Sequence, residues 1–443
     1  MDTQQYLENE KKPRQNDILV WILLVLVITA GAFLRLRGNN WDQYTHIHPD
    51  ERFLTMVETG IQTPSTIGEY FNTGISPLNP ANSGYTFFVY GTFPVFLVRI
   101  IAENVEQIGY DEIHLLGRAL AASFDIVSIF LLFLLGKKIY GKWTGLLAAV
   151  FYAFGVLQIQ HSHFFVVDIF ANPFLIAGFL FAFKVQEEGR IRDYVVFGLM
   201  LGAASACKIS SLPFAIVVVI AALIRIFEAI NEDNRYDETI RVVKGLVAAG
   251  FVSFLVFRIL QPYAFEGPGF LNIIPNSNWI ANIKEIQSQQ SGNVDFPPAL
   301  QWAYRTPVLF ALKNMVLWGM GIPLAAAAWG GWIMALADTI RRKTKRHISL
   351  LLWIILFFLW QSTNNTPAMR YQLPVYPFLV LMAGWVICEL WSRATKSTKP
   401  TLYRAVLAGV GIFITAAAGF WAFAFSSIYV RPVSYTHLRA HET

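Results

Sequence analysis

The chain has 443 residues, 55% of them hydrophobic and only 14% charged, against roughly 45–50% and 25% in a soluble domain. That pairing excludes an ordinary water-soluble enzyme, a disordered chain and a collagen-like repeat. The net charge of +6 is small and is read first as membrane topology rather than nucleic-acid binding. Cys207 and Cys388 both lie in apolar runs, which supports neither a disulfide framework nor a thiolate metal site.

A spanning helix needs about 20 mostly apolar residues to cross roughly 30 Å of hydrocarbon. About eleven segments meet or approach this, near 17–36, 117–136, 143–161, 166–183, 194–211, 212–229, 242–261, 316–337, 348–362, 374–391 and 403–425. The fold class expected is an all-α polytopic membrane protein. Lys and Arg gather before the first span, at Lys137, Lys138 and Lys142, at Lys184 to Arg192, at Arg225 to Lys244, at Arg341 to Arg346 and at Arg393 to Arg404. Positive charge favours the inner side, so this spacing puts the N-terminus in the cytoplasm. Residues 86–102 are apolar enough to pass for another span, but crossing there would turn Lys137, Lys138 and the Arg341 cluster outward. Pro94 and Arg99 also suit an interfacial helix on the outer leaflet. The first span could pass for a secretory signal; Arg35-Leu36-Arg37 and the polar motif just beyond it read better as the end of a retained helix. The organisation expected is a cytoplasmic tail at 1–16, a multi-spanning unit at 17–433, and a non-native tail at 434–443 closing a truncated chain.

Two outer loops, 37–116 and 262–315, are too long to be mere connectors. The first holds nine carboxylates against three arginines. Its densest run is His46-Ile47-His48-Pro49-Asp50-Glu51-Arg52. Pro49 fits a first helical position, and Asp50 and Glu51 complement a helix N-terminus. A carboxylate held there with partial desolvation and a nearby imidazole also suits a general base or a metal ligand. Both readings can hold together.

Further along, His161, Ser162 and His163 close the third span, and Asp168 opens the fourth. Ionisable groups at membrane depth normally face a protein interior or an aqueous cavity, which makes Asp168 a site candidate. His161 and His163 are two interfacial histidines or a metal pair, and i,i+2 spacing converges only on an extended chain. Lys208 ends an apolar run; Arg118, Arg258 and Arg370 also lie near outer span ends. They either snorkel to headgroups or hold a lipid phosphate. In the second loop Gln301, Trp302, Tyr304 and Arg305 belong to an aromatic and amide-rich stretch. Such a stretch suits either sugar binding or an interfacial aromatic belt.

In order and sidedness these features resemble the GT-C fold membrane glycosyltransferases, of the protein O-mannosyltransferase and aminoarabinose transferase kind. The resemblance rests on the first outer loop opening with His48-Pro49-Asp50-Glu51, on Arg118 and Asp168, on Lys208 before Pro213, and on Arg370-Tyr371-Gln372-Leu373-Pro374 before a late span. His-Pro-Asp-Glu and the run from Arg258 to Phe265 are also similar to an uncharacterised prokaryotic branch. The resemblance implies transfer of a sugar from a polyprenyl-phosphate donor to a protein, lipid or glycan acceptor, with inversion, at the outer face of the cell membrane. It implies no nucleic-acid partner. It makes Asp50, Glu51 and Asp168 the candidate catalytic carboxylates, with Asp50 preferred as base. Arg370, Lys208, Arg118 and Tyr371 become candidates for the donor phosphate, and Gln301, Trp302, Tyr304 and Arg305 for substrate. A divalent ion on His48, His161 and His163 stays open. The competing readings are a lipid or solute transporter and a non-catalytic assembly subunit. Transporters place binding groups near the midplane of repeated halves, whereas here the ionisable clusters gather at outer span ends.

Overall fold

The computed structural model describes residues 15–105, 108–229 and 235–431. Residues 1–14 of the tail expected at 1–16, Glu106 and the expected tail at 434–443 fall outside it, and Gln15 and Asn16 already belong to the first helix. Every regular element among the described residues is a helix, with no strand and a single isolated bridge between Phe265 and Pro275.

In chain order the main helices are α1 (Gln15–Leu36), α2 (Pro49–Gly60), α3 (Thr92–Val105), α4 (Tyr110–Tyr140), α5 (Lys142–Ala153), α6 (Val156–Ser162), α7 (Asn172–Glu188) and α8 (Ile191–Cys207). They continue as α9 (Ala215–Glu228), α10 (Arg235–Leu260), α11 (Ser277–Ser291), α12 (Leu309–Asn314), α13 (Ile322–Arg342), α14 (Ile348–Thr363), α15 (Tyr376–Ala394) and α16 (Pro400–Ser426). Each of the eleven apolar segments falls on one or more of these helices or their flanking turns. Among the described residues seven helices are long and apolar enough to cross a membrane, and the α5–α6 pair, bent by 57°, makes an eighth if taken as one span. The chain is a multi-pass membrane protein.

Sequence decides which helices are interior. α15 is buried at every position from Tyr376 to Val386, the mark of a helix surrounded by others, and it packs on α5 and α13. α1, α10 and α16 turn most of their apolar surface outward, as lipid-facing helices do. Within the bundle, Arg35 at the end of α1 donates to Asp125 of α4 at 2.6 Å, and the Tyr152 hydroxyl donates to the other Asp125 oxygen at 2.6 Å. These charges are tolerated because each is paired and hydrogen-bonded.

The two ends of the bundle differ. One is laced by ion pairs between helix termini: Asp17 with Lys142, Lys138 with Glu187, Glu228 with Lys345, and Asp338 with Arg393. These are residues of the basic segments and their acidic neighbours. The other end is covered by the long loops. There α3 has 14 residues, about 21 Å at 1.5 Å per residue, too short to span. It packs on α2, α4 and α8 through Val95, Phe96, Val98 and Ala102. The chain enters α3 at Gly91, where a Cβ would lie 2.0 Å from the Cys207 carbonyl oxygen. Only glycine lets this stretch of the loop rest on the end of α8, beside Lys208.

Candidate active site

His48 caps α2: its side chain accepts from the Glu51 backbone N–H at 3.3 Å through Nδ1, and Pro49 follows at the first helical position. The two carboxylates of that first turn then part company. Glu51 points inward and is fully buried. Arg118 Nε donates to its Oε2 at 2.9 Å, Arg118 Nη2 to its Oε1, and the Phe165 backbone N–H to Oε2 at 2.6 Å. The same guanidinium grips both oxygens of Asp42 at 2.9 Å and the Asn39 carbonyl at 2.7 Å. Burial opposes the Asp42 charge, but His114 and Arg118 outweigh it and hold this carboxyl well below the usual range. Arg118 and Glu51, expected at the phosphate and as a catalytic acid, are thus closed into an ion triad with no exposed side-chain surface. A guanidinium whose donors are all used in the interior has no access to a ligand phosphate.

Asp50 takes the opposite side of the turn. Its Oδ2 pairs with Arg370 Nη1, and the two side chains remain about one-quarter exposed. Asp168 pairs with Lys208 Nζ, whose side chain is also one-quarter exposed. Between the pairs lies Tyr371: Lys208 Nζ sits 4.6 Å and the Arg370 guanidinium 5.5 Å from its ring centre. Burial opposes the Arg370 charge, but Asp168 and Asp50 outweigh it and raise the pKa of this guanidinium. Tyr90 lies against Asp50, and burial pushes its hydroxyl pKa up. His48, next to Asp50 and tilted against Phe164 with ring centres 4.5 Å apart, has its pKa lowered by burial.

Five separate segments supply this cluster, and each is placed by a local chain break. Asp50 follows the Pro49 helix start. Asp168 precedes the 3-10 turn Ile169–Ala171, which leads into Pro173 of α7. Lys208 is the extended residue between α8 and the 3-10 turn Ile209–Phe214. Arg370 and Tyr371 occupy the 3-10 turn Met369–Gln372, between Pro367 and Pro374. Tyr90 precedes the Gly91 contact.

The other candidates lie apart. His163 is buried, stacked on Tyr429 at 3.7 Å, with both ring nitrogens facing carbonyl oxygens of Ile159 and Arg37. His48 Nδ1 is used in the cap. Among the described residues no group of three or more His, Cys, Asp or Glu side chains could hold a metal ion. The three residues considered for a metal, His48, His161 and His163, therefore form no such group, and His163 has both ring nitrogens on carbonyl oxygens. His161, buried with Nδ1 unpartnered, borders the Asp168 pair, as His48 does from the side of Asp50. Gln301, Trp302 and Tyr304 sit on or beyond the 3-10 turn Pro297–Trp302, with Gln301 and Tyr304 exposed. Arg305 bonds the Asn364 carbonyl. No bond or ring contact joins these four to Asp50. Tyr90 is the neighbour that sequence reasoning missed; its signal was an interruption of an apolar run by Tyr90-Gly91. Asp125 was missed too, although a carboxylate inside a span is itself a signal.

A family model described as dolichyl-phosphate-mannose-protein mannosyltransferase matches residues 114–259. No curated protein matches the sequence. The oligosaccharyltransferase of Archaeoglobus fulgidus, solved with zinc and sulfate, is similar in structure with a TM-score of 0.62 at 16% identity, over 91% of this chain and 53% of that one. The archaeal oligosaccharyltransferase AglB from Archaeoglobus fulgidus, in complex with an inhibitory peptide and a dolichol-phosphate, gives 0.59 at 14% identity, over 94% and 56%. ArnT from Cupriavidus metallidurans bound to undecaprenyl phosphate gives 0.49 at 12% identity, over 86% and 74%. The chain spans about half the length of the archaeal structures. The fold is the GT-C fold, as the order of motifs in the sequence implied.

Proposed function

We propose that this protein is a membrane glycosyltransferase, moving a sugar from a polyprenyl-phosphate donor to an acceptor hydroxyl. The observation that carries the reading is the pairing of Asp50 with Arg370 and Asp168 with Lys208 around Tyr371, at one partly open place. The family match and the fold likeness favour the same class. The two cations are balanced by two carboxylates, so an arriving phosphate competes for them with charge-assisted hydrogen bonds. Arg370, turning to the phosphate, frees Asp50.

The acceptor oxygen then attacks the anomeric carbon as its proton passes to the Asp50 carboxylate. The bond from that carbon to the phosphate oxygen breaks, and the electron pair leaves with the phosphate. Arg370 and Lys208 offset the charge that develops there, and such preorganised donors act in the transition state. Attack opposite to the leaving group inverts the anomeric centre. Asp168 keeps Lys208 in place between turnovers, and Tyr371 carries both cations on its ring face. Glu51 and Arg118 are positioning residues: they fix the turn that aims Asp50. The positive-inside bias supports an outer-face position for this end of the bundle, and the reading taken is the outer face of a prokaryotic plasma membrane.

Asp50→Asn tests the assignment. Membranes carrying this variant, supplied with labelled polyprenyl-phosphate sugars, lose transfer while the protein still inserts and melts like the wild type. Retained transfer would remove Asp50 as base.

A further inference from the structure

When Arg370 turns to the phosphate, Asp50 gives up its ion-pair partner. A carboxylate then free to swing away from the acceptor is a poor base, because a small misplacement of a reacting group costs rate steeply. Tyr90 stands where a second anchor is needed. Phe53 lies three residues after Asp50 in α2, hence on the same face of that helix. The Tyr90 ring packs against Phe53 with ring centres 5.7 Å apart, and against Phe88 at 5.8 Å. Its hydroxyl meets the Asp50 carboxylate as a hydrogen-bond donor.

The backbone that carries this ring is tied down on both sides. Gly91 rests on the end of α8, where a Cβ would also lie 2.2 Å from the Ala206 carbonyl oxygen. At the next position the Thr92 backbone N–H donates to Gln261 Oε1 at 2.6 Å. The Thr92 hydroxyl lies 2.6 Å from both that oxygen and the Leu260 carbonyl, so its one proton is shared between them. Gln261 is buried and directly follows α10, and residues 90–92 therefore bridge the ends of α8 and α10. Gln261 belongs to the run from Arg258 to Phe265, which the sequence marked but to which the chemistry gave no part. That run is itself fixed: Arg258 donates to the Pro262 and Gly269 carbonyls at 3.2 and 2.8 Å, and the Tyr263 hydroxyl bonds Ser76 of the first outer loop at 2.7 Å.

We propose that Tyr90 is the positioning residue of the base: when Arg370 passes to the phosphate, the Tyr90 hydroxyl goes on donating to Asp50 and keeps the carboxylate aimed while an oxygen freed of Arg370 takes the acceptor proton. The bonds of Thr92 to Gln261 and Leu260 in turn place Tyr90. Burial raises the pKa of this phenol, so it stays a donor and does not replace Asp50 as base. The inference rests on the transfer reading for the role of Asp50, and adds the contact that outlasts the exchange of partners.

The test is transfer by membranes carrying the full chain, supplied with labelled polyprenyl-phosphate hexoses and pentoses, beside titration of the purified chain with polyprenyl phosphate in micelles. Tyr90→Phe keeps the ring on Phe53 and Phe88 and removes only the hydroxyl. It is expected to lower kcat by about 10–100-fold, the usual weight of one hydrogen bond to a charged group. KM for the donor, affinity for polyprenyl phosphate and melting temperature stay as in the wild type, which a merely structural role for the hydroxyl would not give. A wild-type kcat, or a fall in kcat matched by an equal loss of polyprenyl-phosphate binding, overturns the proposal. Should Tyr90→Phe lower the melting temperature, Thr92→Val decides, since it has the shape of threonine without the hydroxyl. A loss of kcat at constant KM that Thr92→Ser repairs supports the proposal, and any other result overturns it. Asp50→Asn measured alongside separates the two readings. Transfer retained in that variant removes the base itself, whereas transfer lost there with Tyr90→Phe as active as the wild type removes only the role of Tyr90.

Discussion

Asp50 and Glu51 are neighbours in one helical turn, and both meet an arginine, yet the two pairs have different physical standing. Around Glu51 every charge is spent. Arg118 is shared with Asp42, the Phe165 N–H fills a remaining acceptor site, and no side-chain surface is exposed. Around Asp50 the partners are only partly covered, and a second cation–carboxylate pair stands close by. Removing a partner from a closed triad strands a buried charge, whereas an open pair can exchange its partner for a ligand. Burial, not residue type, separates a sealed pair from an exchangeable one here.

The sharpest break of that comparison is in rate. Asp50→Asn is expected to slow transfer by roughly 10²–10⁴-fold, the usual range for a lost general base, with the melting curve unchanged; a matching loss of stability would make Asp50 a second Glu51. Next comes Arg118→Met, expected to destabilise the fold by roughly 3–5 kcal/mol, read as a lower melting temperature. If this variant instead stays folded and loses only phosphate binding, the triad is not a scaffold. Lys208→Ala should weaken binding of polyprenyl phosphate by about 10–100-fold, as expected for one charge-assisted bond. An affinity like that of the wild type, measured by titration in micelles, would place the phosphate elsewhere.

The smallest effect concerns Glu58, on the same helix as both carboxylates. It is fully buried with neither oxygen hydrogen-bonded among the described residues, and burial raises its pKa well above the ordinary 4.5. The folded chain therefore holds this proton more tightly than the unfolded one. Its contribution is fully present below about pH 4.5 and is lost as the pH rises through the folded value. Glu58→Met should accordingly raise stability by roughly 1–3 kcal/mol at pH 8, and the gain should shrink as the pH falls toward 4.5. A constant difference across that range would show that Glu58 has an unsuspected partner.

Much of this was readable from the chain. His48-Pro49-Asp50-Glu51 announced a helix start with two acids, and Asp168, Lys208 and Arg370 stood out as ionisable groups at the ends of apolar runs. Segment 86–102 was separable from the spans by charge parity. Other features were not readable. Nothing in the local pattern distinguishes Arg118 from Arg370, since each is an arginine near the outer end of a span. Gln301 to Arg305 carried the composition of a sugar site but lie apart from Asp50, and only the packing of the two outer loops brings Gln261 to Thr92, 169 positions away.

The sequence by itself determined the class: a membrane bundle with long loops at one end and basic segments at the other, because apolar length and charge distribution are local, additive properties. The tertiary structure decided which charges are free. A residue's partners come from segments up to 320 positions away, as between Asp50 and Arg370. Whether a pair is sealed or open depends on the side chains that converge around it, and no window along the chain contains them all.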